Sequence, residues 1–192
     1  MGRHQGGGVG KAKGTVMAGL VKGIQDDPAK ARPLLPASLH HYFDARIVVA
    51  SWYPLEDYLA LLRVAYKLAV NPPRDPRNFY EAMGRESARE QMSGIYSRLR
   101  ENTGRKAAAT LLGAMYDTGQ MNVVERSSGR AVLEWVGFAL PAREICGTFT
   151  GYQAERMAMQ GLDEVRVRHT ACRAEGGAVC RWELGWKSRR GE

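Results

Sequence analysis

Cys146, His169, Cys172 and Cys180 stand out first, because all three cysteines of the chain and one of its four histidines fall in its last quarter. Thiolate sulfur and imidazole nitrogen are the donors a closed tetrahedral zinc site takes, and a Cys3His set fills it. Zinc held by four protein donors has no position left for water or substrate, so its role would be structural, not hydrolytic. Such sites contribute on the order of 10–16 kcal/mol of apparent binding energy near neutral pH. His169 would spend one ring nitrogen on the metal and need an acceptor for the other, with Glu144 and Glu175 as candidates. The same residues permit three other chemistries. Cys172 and Cys180 can close a hairpin disulfide worth about 2.5 kcal/mol by loop entropy. All three cysteines can be small buried hydrophobes. Cys146, near a helix start, can be a low-pKa nucleophile.

The elements that must position these donors follow from the pattern of apolar residues. After Gly119 that pattern has a period of two. Met121, Val123 and Glu125 alternate with Asn122, Val124 and Arg126, Ser127 to Arg130 makes a turn, and Ala131 to Phe138 forms a second strand. Pro141 opens a helix that runs to about Gln160 and stops at Gly161. Val165, Val167 and His169 form a third strand, Gly176-Gly177 turns the chain, and Val179 to Trp186 forms a fourth. Cys146 then sits at the start of the helix. His169 and Cys172 end the third strand and Cys180 begins the fourth, so all four donors come to one end of the sheet.

The first half reads as helices. Val16, Met17, Leu20, Val21 and Ile24 have helical spacing, and a short helix carries Leu39, Tyr42 and Phe43. Arg46 to Tyr53 is an extended connector. Pro54 starts a strong helix to about Val70, which the proline-rich stretch 71–76 breaks. Residues 77–101 and 105–117 each repeat an apolar face. The expected fold class is therefore α+β, a helical N-terminal half on an antiparallel four-stranded sheet arranged β-β-α-β-β. Residues 1–13 read as a basic glycine-rich tail, 14–187 as a single domain and 188–192 as a second tail.

The 192 residues suit one domain with its own core, and 44% hydrophobic and 25% charged residues are ordinary globular values. No apolar run reaches the ~18 residues of a membrane span. The N-terminus lacks the apolar stretch of a secretory signal, and three cysteines do not make a disulfide framework, so the expected location is the cytoplasm. The net charge of +8 raises nucleic acid as a partner. Much of that charge sits at the two ends, however, and no basic stripe interleaved with aromatics lies between them. Gly10-Lys11 is not a P-loop, because Gln5 and Ala12 occupy positions that need Gly and Ser or Thr.

Cys146, His169, Cys172 and Cys180, at spacings of 23, 3 and 8 residues, resemble the metal signature of the 4-vinyl-reductase domain. That domain shares its fold with TRAPP vesicle-tethering subunits and forms the aromatic-sensing module of phenol-responsive activators. In those sensors the zinc ligands are Cys, Glu, Cys and Cys; here His169 stands in place of the glutamate. Ser51-Trp52-Tyr53-Pro54, the stretch Met83 to Ala88 and Tyr116-Asp117-Thr118-Gly119 resemble a group of such proteins found in myxobacteria. The sensors also carry a tryptophan 21 residues before the first cysteine, where this chain has Glu125, so phenol recognition does not carry over.

The resemblance implies a zinc-stabilised sensor that holds a small apolar molecule and signals to a protein partner. Its cleft would be lined by Trp135, Phe138, Phe149, Tyr152 and Met157, residues that equally suit a plain core. Two alternatives stand beside it. One is a TRAPP-like docking or homodimerising module, with Trp52 and Tyr53 as anchors. The other is a reductase of a tetrapyrrole vinyl group, for which the chain offers neither a G-x-G-x-x-G turn after a strand nor a catalytic dyad. An enzyme is therefore not expected.

Overall fold

A computed structural model of the chain describes residues 10–93 and 113–188. The expected tails fall largely outside the described residues, as does most of the helix expected over 105–117. The chain enters by a short strand, β1 (Lys11–Lys13), which pairs antiparallel with β2 (Trp52–Pro54). Ala12 of β1 is 0% exposed. A three-residue strand has no periodicity to recognise; its partner, 40 residues on, supplies the structure.

The helices follow the apolar spacing. α1 (Gly14–Asp26) buries Met17, Leu20, Val21 and Ile24, residues on one face of a 3.6-residue period. After the single turn α2 (Pro28–Ala31) and a 3-10 helix over Ala37–Phe43, the chain reaches α3 (Leu55–Leu68). Pro54 caps α3, Glu56 and Asp57 lie in its first turn, and Lys67 in its last, as the helix dipole favours. α4 (Pro76–Ser93) runs to the edge of the described residues, and the remainder of the helix expected over 77–101 lies outside them.

The second half is the β-β-α-β-β unit. β3 (Gln120–Ser127) and β4 (Arg130–Val136) form one hairpin, α5 (Arg143–Met159) crosses over, and β5 (Leu162–Ala171) and β6 (Cys180–Ser188) form the second. The hairpins join through β4 and β6, giving an antiparallel sheet in the order β3-β4-β6-β5. α5 is packed on both sides. Towards the sheet it buries Cys146, Phe149, Thr150, Gln153 and Met157. Towards α4 a β-carbon on Gly84 would overlap the Thr148 carbonyl, so only glycine permits this approach of the two helices. Sheet and α5 enclose an aromatic stack, Trp135, Phe138, Phe149 and Trp182, each at most 5% exposed.

Candidate functional site

The donor atoms of Cys146, His169, Cys172 and Cys180 all lie within 4.8 Å of one another. Each reaches the cluster for a local reason. Cys146 lies in the first turn of α5 and faces the sheet. His169 lies near the end of β5, opposite Trp182 of β6, with the two rings stacked at 4.7 Å. Cys172 is the residue after β5, and a 3-10 turn over Arg173–Glu175 folds back on it. Its carbonyl accepts from the Glu175 and Gly177 amides at 3.1 and 2.8 Å, and Gly176 closes the turn at φ 89°, a left-handed conformation suited to glycine. Cys180 opens β6, pairs in register with Trp135 of β4, and its sulfur accepts the Arg173 amide at 3.4 Å.

The cluster is buried and polar. The cysteines are 3%, 3% and 1% exposed, and all three are free of disulfides. The Cys146 thiol donates to the Cys180 sulfur across 3.6 Å. That hydrogen bond, helped by His169 and the Arg173 amide, holds the Cys180 thiol down to about 4. The same contact and burial push Cys146 well above the ordinary thiol range, and burial raises Cys172. Among the described residues His169 Nε2 is a buried nitrogen without a hydrogen-bond partner. Neither carboxylate expected to support the histidine does so: Glu144 takes Arg63 at 2.7 Å and Glu175 takes Arg143 at 2.5 Å. Donors at ~2.0–2.3 Å from a tetrahedral ion lie ~3.3–3.8 Å apart, so this set needs little movement to converge on one.

A second feature lies alongside α5. A partly open cavity of about 60 Å³ is lined by residues of α1, α3, α4 and α5 together with Met115 and Tyr116. Phe149 and Tyr152 line it, with Tyr58, Met83, Ser87 and Tyr116 around them. Tyr116 donates to the Tyr58 hydroxyl at 3.4 Å, and Tyr152 to Gln91 at 3.2 Å. Trp135 and Phe138 lie in the aromatic stack with centroids 3.8 Å apart, and Met157 is 4% exposed in the core; none of the three is among the lining residues. Tyr58, Tyr116 and Ser87 were not among the cleft residues expected from sequence. They carry ordinary core spacing, and no local signal separates a residue lining a void from one filling it.

No family profile and no curated protein sequence matches the chain. Solved structures do. An Fe(II) unliganded H-NOX protein from K. algicida superposes with a TM-score of 0.65 at 9% identity, covering 94% of this chain and 99% of its own. An S. oneidensis H-NOX protein in the Fe(II)NO ligation state gives 0.59 at 13%, covering 92% and 99%. An oxygen-binding H-NOX domain related to soluble guanylate cyclases, in its oxygen complex, gives 0.58 at 14%, covering 94% and 97%. A further neighbour is described by the distortion of its haem.

These neighbours correct two expectations. The assignment to the 4-vinyl-reductase and TRAPP-like families gives way to the H-NOX fold, which matches over nearly the whole chain. The donor spacing that suggested the former is a local feature, whereas superposition tests every element. Structural zinc as the cofactor is corrected as well: the neighbours are described with Fe(II) and haem, and none with zinc. What the descriptions of two of them name is a ligand, NO in one and oxygen in the other.

Among the described residues the cavity does not fit a haem. A haem needs an interior slot for its macrocycle and an axial His, Cys, Met or Tyr donor. The 60 Å³ cavity is less than half the ~150 Å³ that accommodates a single benzene. His40 and His41 lie on the 3-10 helix over Ala37–Phe43, and His169 is in the sulfur cluster. Tyrosine and methionine donors are at hand, since Tyr58, Met83, Met115 and Tyr116 line the cavity, so what argues against a macrocycle is volume and not the donor set. Among the described residues no helix is long and apolar enough to cross a membrane. The chain thus has the fold of the H-NOX domains, with a sulfur-rich cluster at the end of its sheet and, among the described residues, no space for their haem.

Proposed function

We propose that this chain is a non-enzymatic, ligand-binding sensory module that passes its state to a protein partner, and that Cys146, His169, Cys172 and Cys180 bind one transition-metal ion. The observation that carries the reading is the convergence of four donors from three elements around a buried histidine nitrogen that has no other partner. A buried, unsatisfied polar atom costs roughly 1–3 kcal/mol, which a bound ion would remove. Three sulfurs and one nitrogen favour a soft or borderline ion, and a filled shell makes it an anchor between α5 and the β5–β6 hairpin. The cavity alongside α5 is the place for a small neutral guest. A ligand-binding role draws support from solved structures of the same fold that are described with NO or oxygen.

The two anchors of the docking alternative make contacts within the chain. Trp52 is 38% exposed but lies under Lys13 in a cation–π contact at 4.2 Å, and the Tyr53 hydroxyl accepts the Val48 amide at 2.8 Å. Both proposed anchors are occupied within the chain.

Elemental mass spectrometry of the purified full chain tests the reading. About one equivalent of a single first-row transition metal per chain is expected, and loss of it in Cys172→Ser. A metal-free protein that takes up none of the first-row ions on reconstitution would overturn the assignment. Native mass spectrometry of the same sample reports any retained small molecule and the oligomeric state.

A further inference from the structure

The two sites of the proposed module share one helix and one indole. We infer that they are thermodynamically coupled: metal at the four donors holds the cavity in its guest-binding shape, through Trp182 and the first turns of α5. This rests on the metal reading above and adds the regulation of the cavity.

The contacts are continuous. His169, a donor, stacks on Trp182 with the planes 19° apart. Trp182 is 0% exposed, donates its indole N–H to Thr150 at 2.9 Å, and meets Phe149 edge-on at 4.6 Å. Phe149 lines the cavity, with Thr148 and Tyr152 on the same helix. Cys146, another donor, lies less than one turn before Phe149, and the Thr150 hydroxyl donates back to the Cys146 carbonyl at 2.8 Å. A donor, the tryptophan's acceptor and three cavity-lining residues thus occupy seven consecutive residues of α5, 146–152.

Emptying the cluster leaves three crowded buried sulfurs and an unpartnered imidazole nitrogen, an arrangement that favours relaxation. The relaxing groups are His169, which cannot leave its place without disturbing Trp182, and Cys146, which carries α5. A close-packed interior transmits such a shift rather than absorbing it. Phe149 and Tyr152 then move relative to Tyr58 and Met83, and the cavity changes shape. Linkage requires the converse: a guest in the cavity must tighten the metal.

Xenon serves as the probe, since it enters small apolar cavities. Metal-loaded full chain is titrated to equilibrium with a chelator, with and without xenon pressure, and xenon-129 NMR confirms entry. We expect about fivefold more chelator for half-removal under xenon. Ser87→Leu, which fills the cavity, should abolish the xenon effect. Thr150→Val, which removes the acceptor of the Trp182 N–H, should reduce it. The coupling is overturned if xenon enters and the half-removal point is unchanged, or if xenon does not enter at all. A chain that binds no metal overturns the underlying reading too, so the two failures are distinguishable.

Discussion

The end of the sheet and the helical interior are built on opposite principles, although α5 serves both. At the sheet end, four reactive side chains from distant positions crowd within 4.8 Å, with one buried nitrogen unsatisfied. In the interior, tyrosine hydroxyls and apolar side chains surround a 60 Å³ space, and its tyrosines have partners. The first region keeps a buried polar atom without a partner, whereas the second has partners for its tyrosine hydroxyls. A buried polar cluster left incomplete is costly, whereas a small dry cavity is tolerated. Metal should therefore matter to the stability of the fold, and the cavity mainly to its response.

The largest effect that can break this contrast is metal loss. Cys172→Ser, or a strong chelator on the parent, should lower the melting temperature by ten degrees or more, on the order of 3 kcal/mol or above, since one absent donor undoes an anchor between elements. A parent whose melting curve ignores chelation would place the sheet end with ordinary packing. Next is Gly84→Ala, whose new β-carbon overlaps the Thr148 carbonyl; urea titration should show a loss of roughly 2–3 kcal/mol as α4 is forced off α5. An equal stability would mean that the two helices do not approach so closely.

Thr150→Val sharpens the comparison at the joint between the regions. It strands the Trp182 indole N–H, buried at 0% exposure, and should cost about 1–3 kcal/mol in the same assay with the metal retained. Acidification acts on the sheet end alone. Protons compete with metal for three thiols and an imidazole, so metal content should fall as pH falls, while circular dichroism of metal-free protein changes less over the same range. The smallest effect is expected from Arg63→Ala. Its pair with Glu144 has an arginine 56% exposed, and removing it should change stability by no more than about 1 kcal/mol.

The β-β-α-β-β order, the antiparallel sheet and the four donors at one sheet end were legible in the chain, because alternation, turn residues and donor types are local properties. Periodicity also located α1, α3 and the start of α4. β1 was not legible: Lys11–Lys13 is too short to show a pattern and is a strand only through β2. The family was misread for a related reason. Spacings among four residues describe one corner of a fold, and a corner can look alike when the whole differs.

What the residues alone determined is chemistry and local order: which side chains can donate to an ion, and where period two replaces period 3.6. The tertiary structure decided what was near what. It gave Glu144 and Glu175 to arginines instead of His169 and stacked that histidine on Trp182. It also put Trp135 and Phe138 in the packed stack, with Phe149 and Tyr152 beside a void. Such outcomes depend on distances between elements remote in sequence, which apolar spacing within each element does not encode.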